Sequence, residues 1–190
     1  MDVYRLSDGT EIEIRPIAAD DGQRLQAAHG RLSPEARYRR FLAAKPELTA
    51  ADARYLVEID GSNHFALVAT TTVDGEHGAI VAVARFVRAP DDPTAAEFAI
   101  VVGDRYQRQG LAAALIDRLA AAASERGISR FRATMLSDNV AIFRLLEQLA
   151  EGDLQVVARG EISEVELELS PPVEVLATDA RAIIAACPGS

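Results

Sequence analysis

The chain has 190 residues, 49% hydrophobic and 26% charged, a profile of one globular domain able to bury its own core rather than of a disordered segment. Its 20 basic residues against 29 acidic ones leave a formal net charge of -9, which opposes non-specific attraction to nucleic acid or an anionic membrane, so neither is an expected partner. Cys187 is the single cysteine, no apolar run nears the roughly 20 residues that span a bilayer, and Met1-Asp2-Val3-Tyr4-Arg5 lacks a signal-peptide pattern, which together suggest a cytoplasmic chain.

Val3 to Leu6 and Thr10 to Ile17 read as strands around Ser7-Asp8-Gly9, because Asp-Gly between alternating segments signals a hairpin. A helical region follows. Asp20 and Asp21 open one helix, Ser33-Pro34 caps a second, and Thr49 with Asp52 has capping-box spacing for a third. Leu25, Ala28 and Leu32, then Tyr38 and Phe41, then Ala53, Leu56 and Val57 supply their inward faces.

Valine-rich runs from His64 to Thr72 and from Ala79 to Ala89 read as paired strands around the turn residues 74–78. Ala95 to Val102 is a third, separated by Pro90-Asp91-Asp92-Pro93, and a three-stranded antiparallel meander is the simplest arrangement. Leu111, Leu115, Leu119 and Ala122 share a helical face, and Gly127 suits a left-handed cap, so a helix is expected over 110–126. A strand from Arg130 to Met135 and a helix capped by Ser137-Asp138-Asn139, with Ile142, Leu145, Leu146 and Leu149 inward, complete a strand-helix-strand-helix order. That order implies a right-handed crossover and one parallel pair in a mixed sheet.

Leu154 to Ala158 and Val165 to Leu169 form a closing hairpin, ended by Pro171-Pro172. The expected domain covers 1–170, and 171–190 forms a tail with a short helix from Thr178 to Ala186.

The turn Gln107-Arg108-Gln109-Gly110-Leu111-Ala112 lies between a strand and a helix. Small residues at Gly110 and Ala112 let a ligand approach the backbone, and the unpaired amides of a first helical turn attract an anion such as a diphosphate. A purely structural role, with Gly110 only permitting the turn, explains the same residues.

Ala96-Glu97-Phe98-Ala99-Ile100-Val101-Val102, then Tyr106 to Ala112, then Asp138-Asn139-Val140-Ala141 resemble, in order and spacing, the cofactor core of the GNAT superfamily of acyl-CoA-dependent N-acyltransferases. Gln107, Gly110 and Ala112 match its Q/R-x-x-G-x-G/A signature and Asn139 its helix-opening asparagine, over a span from about Glu11 to Leu169. The resemblance implies an α/β GNAT fold with a central mixed, mostly antiparallel sheet of about seven strands. Residues 31–41 and Ala84-Arg85-Phe86 look like the bacterial branch of protein lysine acetyltransferases. Members of that branch are sometimes fused to a nucleotide-sensing or ligase-like domain, for which this length leaves no room.

By the resemblance, the cofactor is acetyl-CoA: the backbone of Ile100, Val101 and Val102 pairs with its pantetheine arm, and amides of Arg108, Gln109, Gly110, Leu111 and Ala112 bind its pyrophosphate. The residues read alone agree, since an extended amide-bearing arm suits strand addition. Arg108 either contacts phosphate or is solvated. Asn139 either caps its helix or offers its amide to the cofactor, with Asp138 or Ser137 as the cap.

A lysine amine with a reference pKa of about 10.4 needs a base before it can attack a thioester. Glu97 interrupts an apolar strand and is the candidate, acting directly or through a water; the alternatives are a solvent-facing residue or an ion pair with Arg85. A backbone N–H near Ile100 or Val101 would meet the oxyanion. Many superfamily members place an acidic tyrosine where this chain has Leu146, so no side-chain acid is expected. A thiol with a pKa of about 8.5 leaves without one. Ala150-Glu151 is a second departure, at a turn where glycine and an apolar residue are usual.

His29, His64 and His77 are scattered without ligand spacing, and neither G-x-S-x-G nor a P-loop occurs, so metal, serine-hydrolase and NTPase chemistries are not expected. The expected reaction is acetyl transfer from acetyl-CoA to a primary amine, a protein lysine being favoured over a small-molecule amine. A non-catalytic acyl-CoA sensor is the alternative from another class. Monomer and homodimer both remain open.

Overall fold

Gly9, left-handed at φ 88°, closes the first hairpin, and the Asp8 carboxylate accepts from the Thr10 amide at 2.9 Å. In the computed structural model, which describes residues 2–73, 75–150 and 154–169, this hairpin joins β1 (Asp2–Arg5) to β2 (Glu11–Pro16). The expected antiparallel meander follows as β3 (His64–Val73), β4 (Glu76–Arg88) and β5 (Ala95–Val102). β6 (Arg130–Leu136) runs parallel to β5, and the hairpin of β7 (Leu154–Arg159) and β8 (Ile162–Glu168) completes one sheet in the order β1-β2-β3-β4-β5-β6-β8-β7. The sheet has eight strands where about seven are expected, because the hairpins at both ends pair into it.

Alternation along the strands divides the core between two faces. Ala66, Val68 and Ile80 meet α1 (Gly22–Arg31) and α3 (Ala50–Val57) through Leu25, Ala53 and Val57. Phe65, Leu67, Phe86 and Phe98 point the other way, onto α4 (Leu111–Ser124), whose Leu111, Leu115, Ile116 and Leu119 are at most 1% exposed. Each such side chain contributes about 1.5–3 kcal/mol by leaving water. The faces of Phe98 and Phe131 stack at 5.2 Å across β5 and β6. Gly127, at φ 74°, ends the α4 segment, and the Ile128 amide returns to the Ala123 carbonyl at 3.0 Å.

Several local expectations change. Tyr38 is 45% exposed, and Ala36 is the residue that α2 (Pro34–Phe41) buries, since this short helix sits beside β5 near the cavities described below. Asp21 does not cap α1 with its side chain. Its carboxylate is fully buried and accepts from both terminal nitrogens of Arg15 (2.7 and 2.8 Å), the Ala18 amide (2.8 Å) and Arg24 (3.2 Å). Burial alone would raise this carboxyl, but the Arg15 and Ala18 hydrogen bonds outweigh it and hold the group down at about 2. Glu76 to Gly78 continue β4 instead of forming the turn. Ser33 and Thr49 cap as expected, through Ala36 and Asp52. The terminal helix, Pro171-Pro172, Cys187, Asp74, Glu151 and the Leu149 side chain lie outside the described residues.

Candidate active site

β5 and β6 pair at Ala95↔Arg130, Ala96↔Phe131 and Glu97↔Arg132, and then separate. On its other side β5 stays paired with β4 as far as Val102. The backbone of Phe98 to Val102 therefore faces a gap where the sheet has no neighbouring strand. A cavity of about 590 Å³ fills the gap, lined by those residues, by Ala133 to Met135 of β6, and by the turn leading into α4. An extended chain with amide groups fits such a gap by forming the missing ladder.

The turn holds two left-handed residues, Arg108 at φ 58° and Gly110 at φ 81°. A Cβ at Gly110 would sit 2.6 Å from the Tyr4 hydroxyl, so the backbone angle and the β1 neighbour both favour glycine there, independently of any ligand. Gly110 is also the N-cap of α4 and supplies no side-chain hydrogen bond, which leaves the first-turn amides open at the cavity's end. Open amides, the positive end of a helix dipole and Arg108 on the cavity wall match a diphosphate in a chain of net charge -9.

Of the expected cofactor residues, Ile100, Val101, Val102, Gln107, Arg108, Gly110, Ala112 and Asn139 all line this one cavity. Gln107 also donates its side-chain amide to the Val102 carbonyl at 3.0 Å, tying the turn to the end of β5. Gln109 and Leu111 do not line it. Gln109 accepts from the Ser7 hydroxyl (3.3 Å) and donates to the Arg105 carbonyl (3.0 Å), while Leu111 is 1% exposed in the core, so both have only backbone to offer.

α5 (Val140–Leu149) is uncapped by side chains, which corrects the expected Ser137-Asp138-Asn139 cap. The Ser137 hydroxyl donates to the Gly160 carbonyl (3.0 Å), and Asp138 accepts from Arg39 (3.0 Å). Asn139 stands at the N-cap with no capping bond, on the cavity wall. Leu146 is fully buried in the core.

Glu97 belongs to the opposite face of β5 from Phe98. Its side chain is exposed, lines neither cavity, and meets no hydrogen-bond or ion-pair partner among the described residues. The alternative of an ion pair with Arg85 is not formed. Arg85, 6% exposed in mid-β4, donates instead to His64 Nε2 (3.1 Å) and to the Leu56 carbonyl (3.2 Å). Burial, reinforced by the nearby Arg40 charge, pushes Arg85 down to about 10, and burial beside Arg85 lowers His64 as well.

A second cavity of about 370 Å³ lies on the side of α1 to α3 and shares Arg40, Val101 and Tyr106 with the first. Sequence reasoning missed this cavity and the convergence of Arg40 with Arg85. The available signal was an arginine interrupting the apolar run 79–89. Among the described residues no group of His, Cys, Asp and Glu could hold a metal ion, and no helix is long and apolar enough to cross a membrane.

Residues 31–150 match the family model described as the acetyltransferase (GNAT) family. The chain is 35% identical over 164 residues to acetyltransferase Pat of Mycolicibacterium smegmatis, covering 86% of this chain and 47% of that protein. It is 34% identical over 125 residues to acetyltransferase PA5475 of Pseudomonas aeruginosa, covering 66% of each. Among solved structures, the GNAT domain of S. lividans PAT superposes with a TM-score of 0.76 at 30% identity, over 88% of this chain and 96% of that one. The cAMP-binding acyltransferase from Mycobacterium smegmatis superposes with a TM-score of 0.62 at 30% identity, over 94% of this chain and 50% of that one. The chain thus spans about half the length of the mycobacterial relatives. With the cavity at the sheet opening and this match across most of its length, the chain belongs to the acetyltransferase (GNAT) family, whose members are acetyl-CoA-dependent N-acetyltransferases.

Proposed function

We propose that the chain acetylates a primary amine, with a protein lysine as the favoured acceptor and Glu97 as the general base. The observation that carries this reading is the place of Glu97. It is the last β5 residue paired with β6, immediately before the gap, and it shares a strand face with Val101, which lines both cavities. An unpartnered, exposed carboxylate can take a proton from an incoming ammonium directly or through a water.

Acetyl-CoA supplies an acetyl group activated as a thioester. The open edge from Ile100 to Val102 holds the extended arm, the amides of 108–112 hold the diphosphate, and the Asn139 amide is free to bond the arm. A backbone N–H at Ile100 or Val101 stabilises the oxyanion. With leucine at position 146, the thiol leaves without a side-chain acid, consistent with its pKa of about 8.5. The resemblance of residues 31–41 and 84–86 to lysine acetyltransferases supports the protein acceptor.

Incubation with labelled acetyl-CoA, a panel of small amines and lysine peptides, and a cell extract tests the reading. Label in peptide or protein lysines supports it. Label confined to small amines assigns a small-molecule acceptor, and acetyl-CoA binding without transfer to any amine assigns a non-catalytic sensor.

A further inference from the structure

The second cavity is walled largely by apolar side chains, among them Leu25, Phe41 and Leu48, yet two arginines face it without an anion. Arg85 is 6% exposed, and both of its hydrogen bonds go to neutral acceptors, leaving part of its five-donor fork unused. Arg40 lies over the Phe41 ring at 4.9 Å and has no hydrogen-bond or carboxylate partner among the described residues. Burial pushes both guanidinium groups below their ordinary value.

A buried cation with no counter-charge is costly in a folded protein; Arg85 is such a cation, and the half-buried Arg40 converges on the same cavity. Several arginines elsewhere have a carboxylate at hand: Arg15 has Asp21, Arg39 has Glu35 and Asp138, and Arg132 has Glu166. The cavity wall carries four arginines, Arg31, Arg40, Arg85 and Arg105, against one aspartate, Asp104, in a chain of net charge -9. That aspartate is engaged by the Ser33 amide (2.9 Å) and hydroxyl (2.7 Å).

We propose that the second cavity is a carboxylate-binding subsite, in which Arg40 and Arg85 hold the carboxylate of a short aliphatic chain that reaches the reaction centre past Val101. The inference rests on the acyl-transfer reading of the adjoining groove. Arginine forks suit a planar carboxylate, and the apolar wall suits the methylenes behind it. The carboxylate arrives from one of two sources: on the amine acceptor, as in an ω-amino acid, or at the far end of a dicarboxylic acyl group carried by CoA. The transfer step is the same for both. The base takes one proton from the ammonium, the amine nitrogen bonds to the acyl carbon, the thioester C–S bond breaks with its electron pair going to sulfur, and the second nitrogen proton, lost as the amide forms, protonates the departing CoA thiolate through solvent.

Calorimetric titration of hexanoate and hexanamide into the full chain tests the subsite without turnover. The expected result is binding of hexanoate tighter than hexanamide by about tenfold or more, with the preference lost in Arg85→Met and in Arg40→Gln. Equal binding of the two probes by the wild type overturns the proposal. Should Arg85→Met fail to fold, Arg85→Lys, which keeps the charge but not the fork, and Arg40→Gln carry the comparison. Two transfer arms identify the source. Succinyl-CoA is compared with acetyl-CoA on one common amine, and 6-aminohexanoate with hexylamine under acetyl-CoA. A carboxylate preference in the first arm assigns the donor, in the second the acceptor, and none in either overturns the proposal. Preferential hexanoate binding with no amine acylated would leave the subsite standing and remove the transfer reading.

Discussion

Glu97 and Arg132 are the last residues paired across β5 and β6, yet they do not form an ion pair. Arg132 is already taken by Glu166 (2.9 Å), Asp91 (3.3 Å) and Asp92 (3.4 Å). The carboxylate at the sheet opening is thereby left unpaired among the described residues, although the residue opposite it is a cation.

If Glu97 removes the amine proton, Glu97→Gln keeps the shape and loses the base. Acetyl transfer near neutral pH is expected to fall by about tenfold or more while acetyl-CoA affinity stays within about twofold. Steady-state kinetics beside calorimetry checks this; unchanged transfer removes Glu97 from the mechanism.

Asn139 separates its two readings cleanly. A true side-chain cap costs about 1 kcal/mol when replaced by alanine, whereas a residue with no capping bond costs little. Asn139→Ala is expected to leave the thermal midpoint nearly unchanged and to weaken acetyl-CoA binding several-fold. A clear loss of stability with unaltered affinity would make it a cap.

Gly110→Ala places a Cβ against the Tyr4 hydroxyl and forces a side chain into the left-handed region. A destabilisation of about 1–2 kcal/mol is expected from the backbone term alone. Tyr4→Phe removes the hydroxyl, so the same substitution should cost less in that background; equal costs in a denaturant double-mutant cycle would rule out the contact.

The Asp21 carboxyl is lowered in the folded state from 3.8 to about 2, so its contribution is complete above the unfolded value and is lost as pH falls from about 4 to 2. The shift corresponds to about 2 kcal/mol. Asp21→Asn is expected to be less stable at neutral pH and to lack that part of the acid-induced decline. Denaturant unfolding at a series of pH values measures both, and an unchanged slope between pH 4 and 2 would exclude Asp21 as its source.

Much of the frame was legible because its signals are local. Asp8-Gly9, Ser33-Pro34, Thr49 with Asp52, and Gly127 each act within one turn of chain, and the valine-rich runs carry their pairing faces in their own alternation. The exposure of Tyr38 is not legible in this way for the converse reason: helical periodicity names a stripe, but only the position of α2 beside β5 says which stripe is covered. The Ser137-Asp138-Asn139 cap failed in the same way. Arg39 and Gly160, distant in sequence, compete for the Asp138 and Ser137 side chains.

The sequence by itself determined the strand and helix order, the glycine turn at 107–112 that leads into a helix and the placing of a carboxylate in the strand before it, since each depends on neighbours within a few residues. Only the tertiary structure decided that β5 and β6 part after Glu97, that Arg132 is spent on other carboxylates, and that Arg40 and Arg85 meet at one cavity. Those facts depend on contacts between segments far apart in the chain, and neither periodicity nor turn chemistry encodes which distant side chain will satisfy a charge.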